Sequence, residues 1–202
     1  MKNILKILLV ALFSISSLFA LEKEEIKTVM TKKIDASISI IKQKNLTTQE
    51  KGQKIIKIID EVFDYRKMAL LSLGRDAWVS ATKEQKIRYL KAFEINLKNS
   101  YIDKLSLYTD QKVKIIDLES TFTQKSKKER IQLTSELIGQ SKTYKVNYLF
   151  YKNKTRGWVI WDINLAGTSI ITTTRKQYSG LLKQKSLEEM ISEIEAKNKI
   201  NG

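Results

Sequence analysis

At residue 112 the spacing of apolar side chains in this chain changes from helical to alternating, and near residue 170 it changes back. Along a strand successive side chains point to opposite faces, whereas a helix returns to the same face every three or four residues. The two patterns therefore belong to different elements. Helices, then a sheet, then helices is an α+β order, and four alternating segments in a row make an antiparallel meander the economical arrangement.

In the first helical part, Ile26, Val29, Met30, Ile34, Ile38 and Ile41 share one face and predict a helix over 23–42. Thr47 and Glu50 are spaced as a capping box ahead of Ile55, Ile58, Ile59, Val62 and Phe63, which predicts a second helix. A short third helix over 65–73 should end on Gly74 in a left-handed conformation. "TKEQKIRYLKAFEINLKNSYIDKLSLY", residues 82–108, carries the strongest helical signal. Thr82 and Gln85 cap it, and Ile87, Leu90, Phe93, Leu97, Tyr101 and Leu105 form a stripe that Ile95 and Ile102 widen, so this helix should touch more than one layer.

The alternating segments are "KVKIIDLES", "ERIQLTSEL", "TYKVNYLFYKN" and "RGWVIWDINL", joined by polar turns such as residues 153–157. The basic cluster "QKSKKER", residues 124–130, falls where a hairpin turn is expected. Tyr144, Val146, Tyr148 and Phe150 share one face of the third strand. On the fourth, strict alternation puts Val159, Trp161 and Ile163 on one face and Trp158, Ile160 and Asp162 on the other. A strand apolar on both faces should be covered on both. Asp162, the one acid in that strand, is expected to be paired with a backbone N–H or a lysine. Helical spacing then returns in Ile170, Ile171, Thr174, Tyr178, Leu181 and Leu182, and a last helix is capped by Ser186 and Glu189.

Composition matters here by what is missing. The chain has no His, no Cys and no Pro, so it can build no Ser-His-Asp or Cys-His site, no thiolate or imidazole metal centre and no disulfide. Gly167-Thr168-Ser169 is half of a nucleophile elbow without a histidine partner. The formal charge of +15 comes mostly from lysines scattered along amphipathic helices beside glutamates. Basic and aromatic residues are not interleaved on one face, which argues against nucleic acid. No cofactor and no metal is expected.

The first twenty residues, MKNILKILLVALFSISSLFA, carry two lysines, an apolar run from Ile7 to Phe13 and a Ser-rich end at Ala20. That is the layout of a secretory signal peptide, with cleavage expected after Ala20. Residues 21–202 show neither a linker nor a repeat and are read as a single domain.

Two blocks carry a resemblance: "MALLSLGRDAWVSATKEQKIRYLKAFEINLKNSY" and "GWVIWDINLAGTSIITTTRKQYSGLLKQKSLEEMISEI". In order and spacing, from Trp158, Trp161 and Asp162 through Gly167, Ser169, Ile170, Ile171 and Thr173 to Tyr178, Leu181 and Leu182, the chain resembles the MlaC-type, or toluene-tolerance, family of periplasmic phospholipid-binding proteins. The likeness spans about 130 residues between Leu70 and Ile194; the first helices match only as helices, and Lys and Ile stand where the family is richer in Ala, Gln and Pro. The resemblance implies C-terminal helices covering a four-stranded sheet around an apolar cavity that takes phospholipid acyl chains. It also implies a non-catalytic role, ferrying lipid between an outer-membrane lipoprotein complex and an inner-membrane ABC transporter with an MCE-domain subunit and so maintaining outer-membrane lipid asymmetry. On that footing the inward faces of the sheet and its covering helices nominate Leu70, Leu73, Phe93, Leu97, Tyr101, Val113, Ile115, Leu133, Val146, Tyr148, Phe150, Trp161, Ile163, Ile170, Ile171, Tyr178 and Leu181 as lipid-binding. Periodicity alone does not separate pocket wall from core. A carrier of another apolar ligand and a secreted interaction protein without a ligand stay open at this point.

Overall fold

The computed structural model describes residues 20–102, 111–123 and 128–200. The first nineteen residues of the leader expected over 1–20, Leu105 of the long stripe and residues 124–127 of the basic cluster lie outside the described residues.

Helices come first. A 3-10 turn, Lys23–Glu25, leads into α1 (Ile26–Ile41), then α2 (Thr48–Ile59), α3 (Tyr65–Leu73), α4 (Arg75–Ser80) and α5 (Lys83–Ile102). Three capping boxes form as their spacing predicts, because each satisfies orphan backbone donors locally. Glu50 N–H donates to Thr47 Oγ1 at 3.2 Å, Gln85 N–H to Thr82 Oγ1 at 3.1 Å and Glu189 N–H to Ser186 Oγ at 3.2 Å. Gly74 has a positive φ of 90° but an extended ψ of 158°, so it ends α3 and at once starts α4, a helix the periodicity did not announce. Ile87, expected on the long stripe, is 59% exposed. The buried side of α5 is instead Tyr89, Ala92, Phe93, Asn99 and Ile102.

The sheet is an antiparallel meander of β1 (Lys112–Thr123), β2 (Lys128–Ile138), β3 (Thr143–Asn153), β4 (Gly157–Leu165) and β5 (Thr168–Ser169), in that spatial order. It has five strands rather than the expected four. The extra strand has only two residues, too few for an alternating pattern to show. It hairpins onto β4 through Ala166 and Gly167, whose φ values of 49° and 84° are both positive, as a tight two-residue hairpin loop requires. Then follow α6 (Ile170–Leu181) and α7 (Leu187–Ile200).

Register decides which side chains share a face. Leu118, Leu133, Tyr148 and Ile163 pair in a row across four strands, and Ser120, Ile131, Phe150 and Ile160 form the next row. Ile115, Ser135, Val146 and Leu165 form a third, with Val113, Leu137 and Tyr144 beyond it. Directly paired residues lie on the same face, so all four rows make one inner surface. Two bulges break the alternation: Ile116 in β1 and Trp161 in β4 have no pairing partner. Each bulge adds a residue and reverses parity beyond it. Trp158, Ile160 and Ile163 therefore share the inner face, which corrects the strict alternation expected for this strand. Trp158, Val159 and Ile160 are all buried, so this part of β4 is covered on both faces.

One core joins the layers: Ile26, Met30, Met68, Tyr89, Phe93, Ile131, Leu133, Phe150, Trp158, Ile160, Met190 and Ile191 are buried within one cluster. Residue 21 is fastened to β4, where Trp158 N–H donates to Leu21 O at 2.8 Å. Gly157 permits this approach. Its φ is 67°, and a Cβ there would sit 2.3 Å from Leu21 O. Gly157→Ala is expected to lose roughly 2–4 kcal/mol, combining backbone strain with loss of the fastening. A urea titration checks this; an unchanged midpoint would show that the clamp is not strained.

Candidate functional site

The inner sheet face is core at one end and something else at the other. Toward Trp158 and Phe150 it is closed by α1, α3 and the first half of α5. Toward Tyr144 and Leu165 it borders a cavity of about 960 Å³, at the upper end of the roughly 300–1,000 Å³ typical of ligand pockets. Filled with water at ~30 Å³ per molecule, such a volume would hold about 30 waters. Among the described residues no helix is long and apolar enough to cross a membrane, and no three acidic side chains gather to hold a metal ion.

Four elements build the wall. The sheet gives Leu137, Tyr144, Val146, Tyr148, Ile163 and Leu165; the second half of α5 gives Phe93, Asn96, Leu97, Ser100 and Tyr101. Ile170, Thr173, Thr174, Gln177, Tyr178 and Leu181 come from α6, and Met190, Glu193, Ile194 and Lys197 from α7. Tyr101, Tyr144, Leu165, Ala166, Thr168, Thr173, Gln177, Glu193 and Lys197 are exposed, so the mouth is rimmed by the end of α5, the start of β3, the β4–β5 turn, α6 and α7. Phe93, Tyr178, Met190 and Ile194 are buried and mark the inner end.

Nine of the nominated residues line this cavity: Phe93, Leu97, Tyr101, Val146, Tyr148, Ile163, Ile170, Tyr178 and Leu181. Eight do not, for three physical reasons. Leu73, Leu133, Phe150 and Ile171 are swallowed by the core, at 5%, 0%, 0% and 6% exposure. Val113 and Ile115 sit on the inner face of the edge strand β1 away from the wall, and Leu70 is half-buried on α3 without reaching it. Trp161 is turned to the other face by its bulge and lines a separate surface groove with Leu71 and Arg175. Among the wall residues that sequence reasoning passed over, Leu137, Tyr144 and Leu165 share the parity of those nominated. Continuing each row to the strand end would have found them. Gln177 and Thr173 are polar, and an apolar criterion cannot select them.

Asp162 holds the wall together. It is 3% exposed and accepts hydrogen bonds from Ser169 Oγ at 2.6 Å, Ile163 N–H at 2.8 Å and Ile171 N–H at 3.1 Å. Ser169 in turn caps α6, its Oγ accepting from Thr172 N–H at 3.0 Å. A carboxylate at a helix N-terminus is also favoured by the helix dipole. This pairing with backbone donors is the structural role expected for the lone acid of that strand.

α7 is tied to α5 by Arg88, which pairs with Glu188 and, at 2.8 Å, with Glu195. The guanidinium holds both carboxyls below the usual carboxylate range. This tie is complete near neutral pH and is lost as pH falls through those lowered values. Both acids lie at the surface, so solvent screening keeps the contribution small. Inside the cavity, burial pushes the Tyr178 phenol up to about 12 and raises Tyr148 as well. Tyr148 and Tyr178 are therefore neutral hydrogen-bonding groups at any ordinary pH.

Fold and site together define a class: an α+β domain built around an apolar, ligand-sized cavity that opens beside its C-terminal helices. Residues 31–196 match the model of the MlaC protein family, and the chain belongs to that family. Among solved structures it is similar to the phospholipid-binding protein from Ralstonia solanacearum, determined in complex with a phospholipid, with a TM-score of 0.70 and 18% identity. That match covers 89% of this chain and 97% of the other, and at such identity it establishes the shared fold. No curated protein matches the sequence significantly.

Proposed function

We propose that this protein is a periplasmic phospholipid carrier that takes acyl chains into the cavity between sheet and helices and leaves the headgroup at the mouth. The observation that carries this reading is the cavity itself, about 960 Å³ of apolar-walled space that the fold does not fill with its own side chains, in a member of the MlaC family. A domain stabilised only by packing would close such a gap, since unfilled cavities are destabilising. The solved structure of similar fold holds a phospholipid. Residues 1–20, read as a signal peptide, fit export to the periplasm.

Energetics set the mechanism. A 16-carbon tail at ~0.8 kcal/mol per CH₂ gives about 12 kcal/mol as an upper bound. A two-tailed lipid so held leaves water-exposed protein too slowly to be useful, so loading and release occur against a membrane or a partner. The partners proposed are an outer-membrane lipoprotein complex and an inner-membrane ABC transporter with an MCE-domain subunit, between which the carrier maintains outer-membrane lipid asymmetry. The protein catalyses no reaction in this scheme.

The test is transfer of a fluorescent phospholipid from vesicles to delipidated protein, read by its separation from the vesicles. Lipid recovered with the protein in a saturable amount supports the proposal, and lipid remaining with the vesicles refutes it. The excess of lysine and arginine over acidic residues, which persists without Lys2 and Lys6 of the leader, predicts a second result. On vesicles containing anionic lipid, transfer should slow severalfold between about 50 and 500 mM salt, as screening shortens the reach of surface charges. Rates independent of salt would remove the basic surface from the docking step.

A further inference from the structure

We propose that a basic groove on the outer side of α6 is a second site, one that takes the phosphate of an anionic phospholipid in the membrane against which the carrier loads or releases; this deepens the docking step of the carrier reading above. The groove has a volume of about 610 Å³ and lies on the other side of α6 from the cavity, between that helix, the end of α3 and β4. Arg175, Lys176 and Lys183 supply its charge, and Leu71 and Trp161 its apolar part.

The three cations are uncommitted. Elsewhere Lys33, Arg88, Lys98 and Lys185 each hold a carboxylate, whereas the exposed side chains of Arg175, Lys176 and Lys183 form no ion pair with any described residue. The one acid in the groove wall, Asp162, is buried and already accepts from Ser169, Ile163 and Ile171. Trp161 adds a donor without an acceptor, its indole Nε1. Positive charge with no free acid to answer it fits an anion that carries several acceptor oxygens.

Two backbone features open this groove. The bulge in β4 turns Trp161 toward it and away from the cavity. Gly180 lines it from a helix position where glycine weakens the helix. Its φ is not positive, and a Cβ there would meet no neighbouring element within 4 Å. Nothing in the fold calls for glycine at 180. The missing side chain is accounted for by a ligand that comes close to the helix.

A membrane lipid answers both parts of the groove. At the surface of a bilayer, phosphate and apolar chain lie side by side, which is where indole rings and cations together are favoured. α6 also rims the mouth of the cavity. A headgroup held on its outer side therefore sets the mouth beside the bilayer from which the lipid comes.

The experiment measures cosedimentation of the protein with vesicles of phosphatidylglycerol and phosphatidylcholine at low salt. Lys176→Ala/Lys183→Ala is compared with Lys54→Ala/Lys57→Ala, which removes the same charge from exposed positions on α2. A cation near an anionic surface contributes roughly fivefold in affinity. The first pair should therefore weaken binding about five- to thirtyfold, and the second about twofold or less. Gly180→Glu should weaken binding at least as much as the first pair with Tm unchanged or raised, since the new side chain meets space and improves the helix. Equal losses in the two lysine pairs, or a Gly180→Glu variant that binds as the wild type does, overturn the proposal. So does a wild type that stays off anionic vesicles, which would leave an acidic protein segment as the fitting occupant. Lipid taken up from the same vesicles is measured in parallel: uptake that persists when docking does not depend on the groove leaves the carrier reading standing, and groove-dependent docking without uptake removes that reading and leaves the site.

Discussion

Asp162→Ala is expected to destabilise the protein by roughly 3–5 kcal/mol, the largest loss among the single substitutions considered. The carboxylate is 3% exposed and accepts from two backbone N–H groups and one hydroxyl. Alanine leaves those donors buried without a partner, and each such group costs about 1–3 kcal/mol. The consequences spread, because Ser169 is both a partner of Asp162 and the cap of α6, and α6 is one wall of the cavity. For a chain of this length such a loss lowers Tm by roughly 6–20 °C. Asp162→Asn keeps an acceptor oxygen and should cost less than half as much. Thermal unfolding of both variants checks the order. A wild-type Tm for Asp162→Ala would mean that α6 is held by packing alone.

The second large effect concerns ligand rather than stability. Placing tryptophan at Leu97 and Ile163 together should reduce bound phospholipid at least tenfold, because the two indoles enter the cavity from α5 and from the sheet. Overpacking a filled core usually costs about 1–3 kcal/mol. Here the added atoms meet space, so the urea midpoint should shift by less than a comparable pair of substitutions at Leu133 and Phe150, which are 0% exposed in the core. Lipid recovered per mole of protein, set against the denaturation midpoint, separates the two effects. A variant that stays folded and carries the wild-type amount of lipid would place the ligand elsewhere.

These two residues also show where sequence reasoning reaches and where it stops. Capping boxes at Thr47, Thr82 and Ser186 were legible because their donors and acceptors lie within three residues of each other. The antiparallel order of the sheet and the parity of β3 were legible for the same local reason. The parity of β4 was not. A bulge at Trp161 inserts one residue without changing composition, so Ile163 keeps the inner face while Trp161 loses it. β5 was invisible because two residues carry no period.

The site divides similarly. Leu133 and Tyr148 are direct neighbours in one row, yet the first is core and the second is cavity wall. What separates them is which helix lies overhead, a tertiary fact that no spacing in β2 or β3 records. Tyr178 and Leu181 were legible as the inward face of a helix. Gln177 and Lys197, at the mouth, carry no apolar signal and become visible only when α6 and α7 are placed beside the sheet.

The central claim is that the cavity holds a two-tailed phospholipid, and it is tested most directly by the contents of the protein itself. Protein purified without detergent, extracted with organic solvent and examined by mass spectrometry, should yield diacyl phospholipid at close to one molecule per chain. An empty cavity, or a single-chain lipid in its place, would contradict the account.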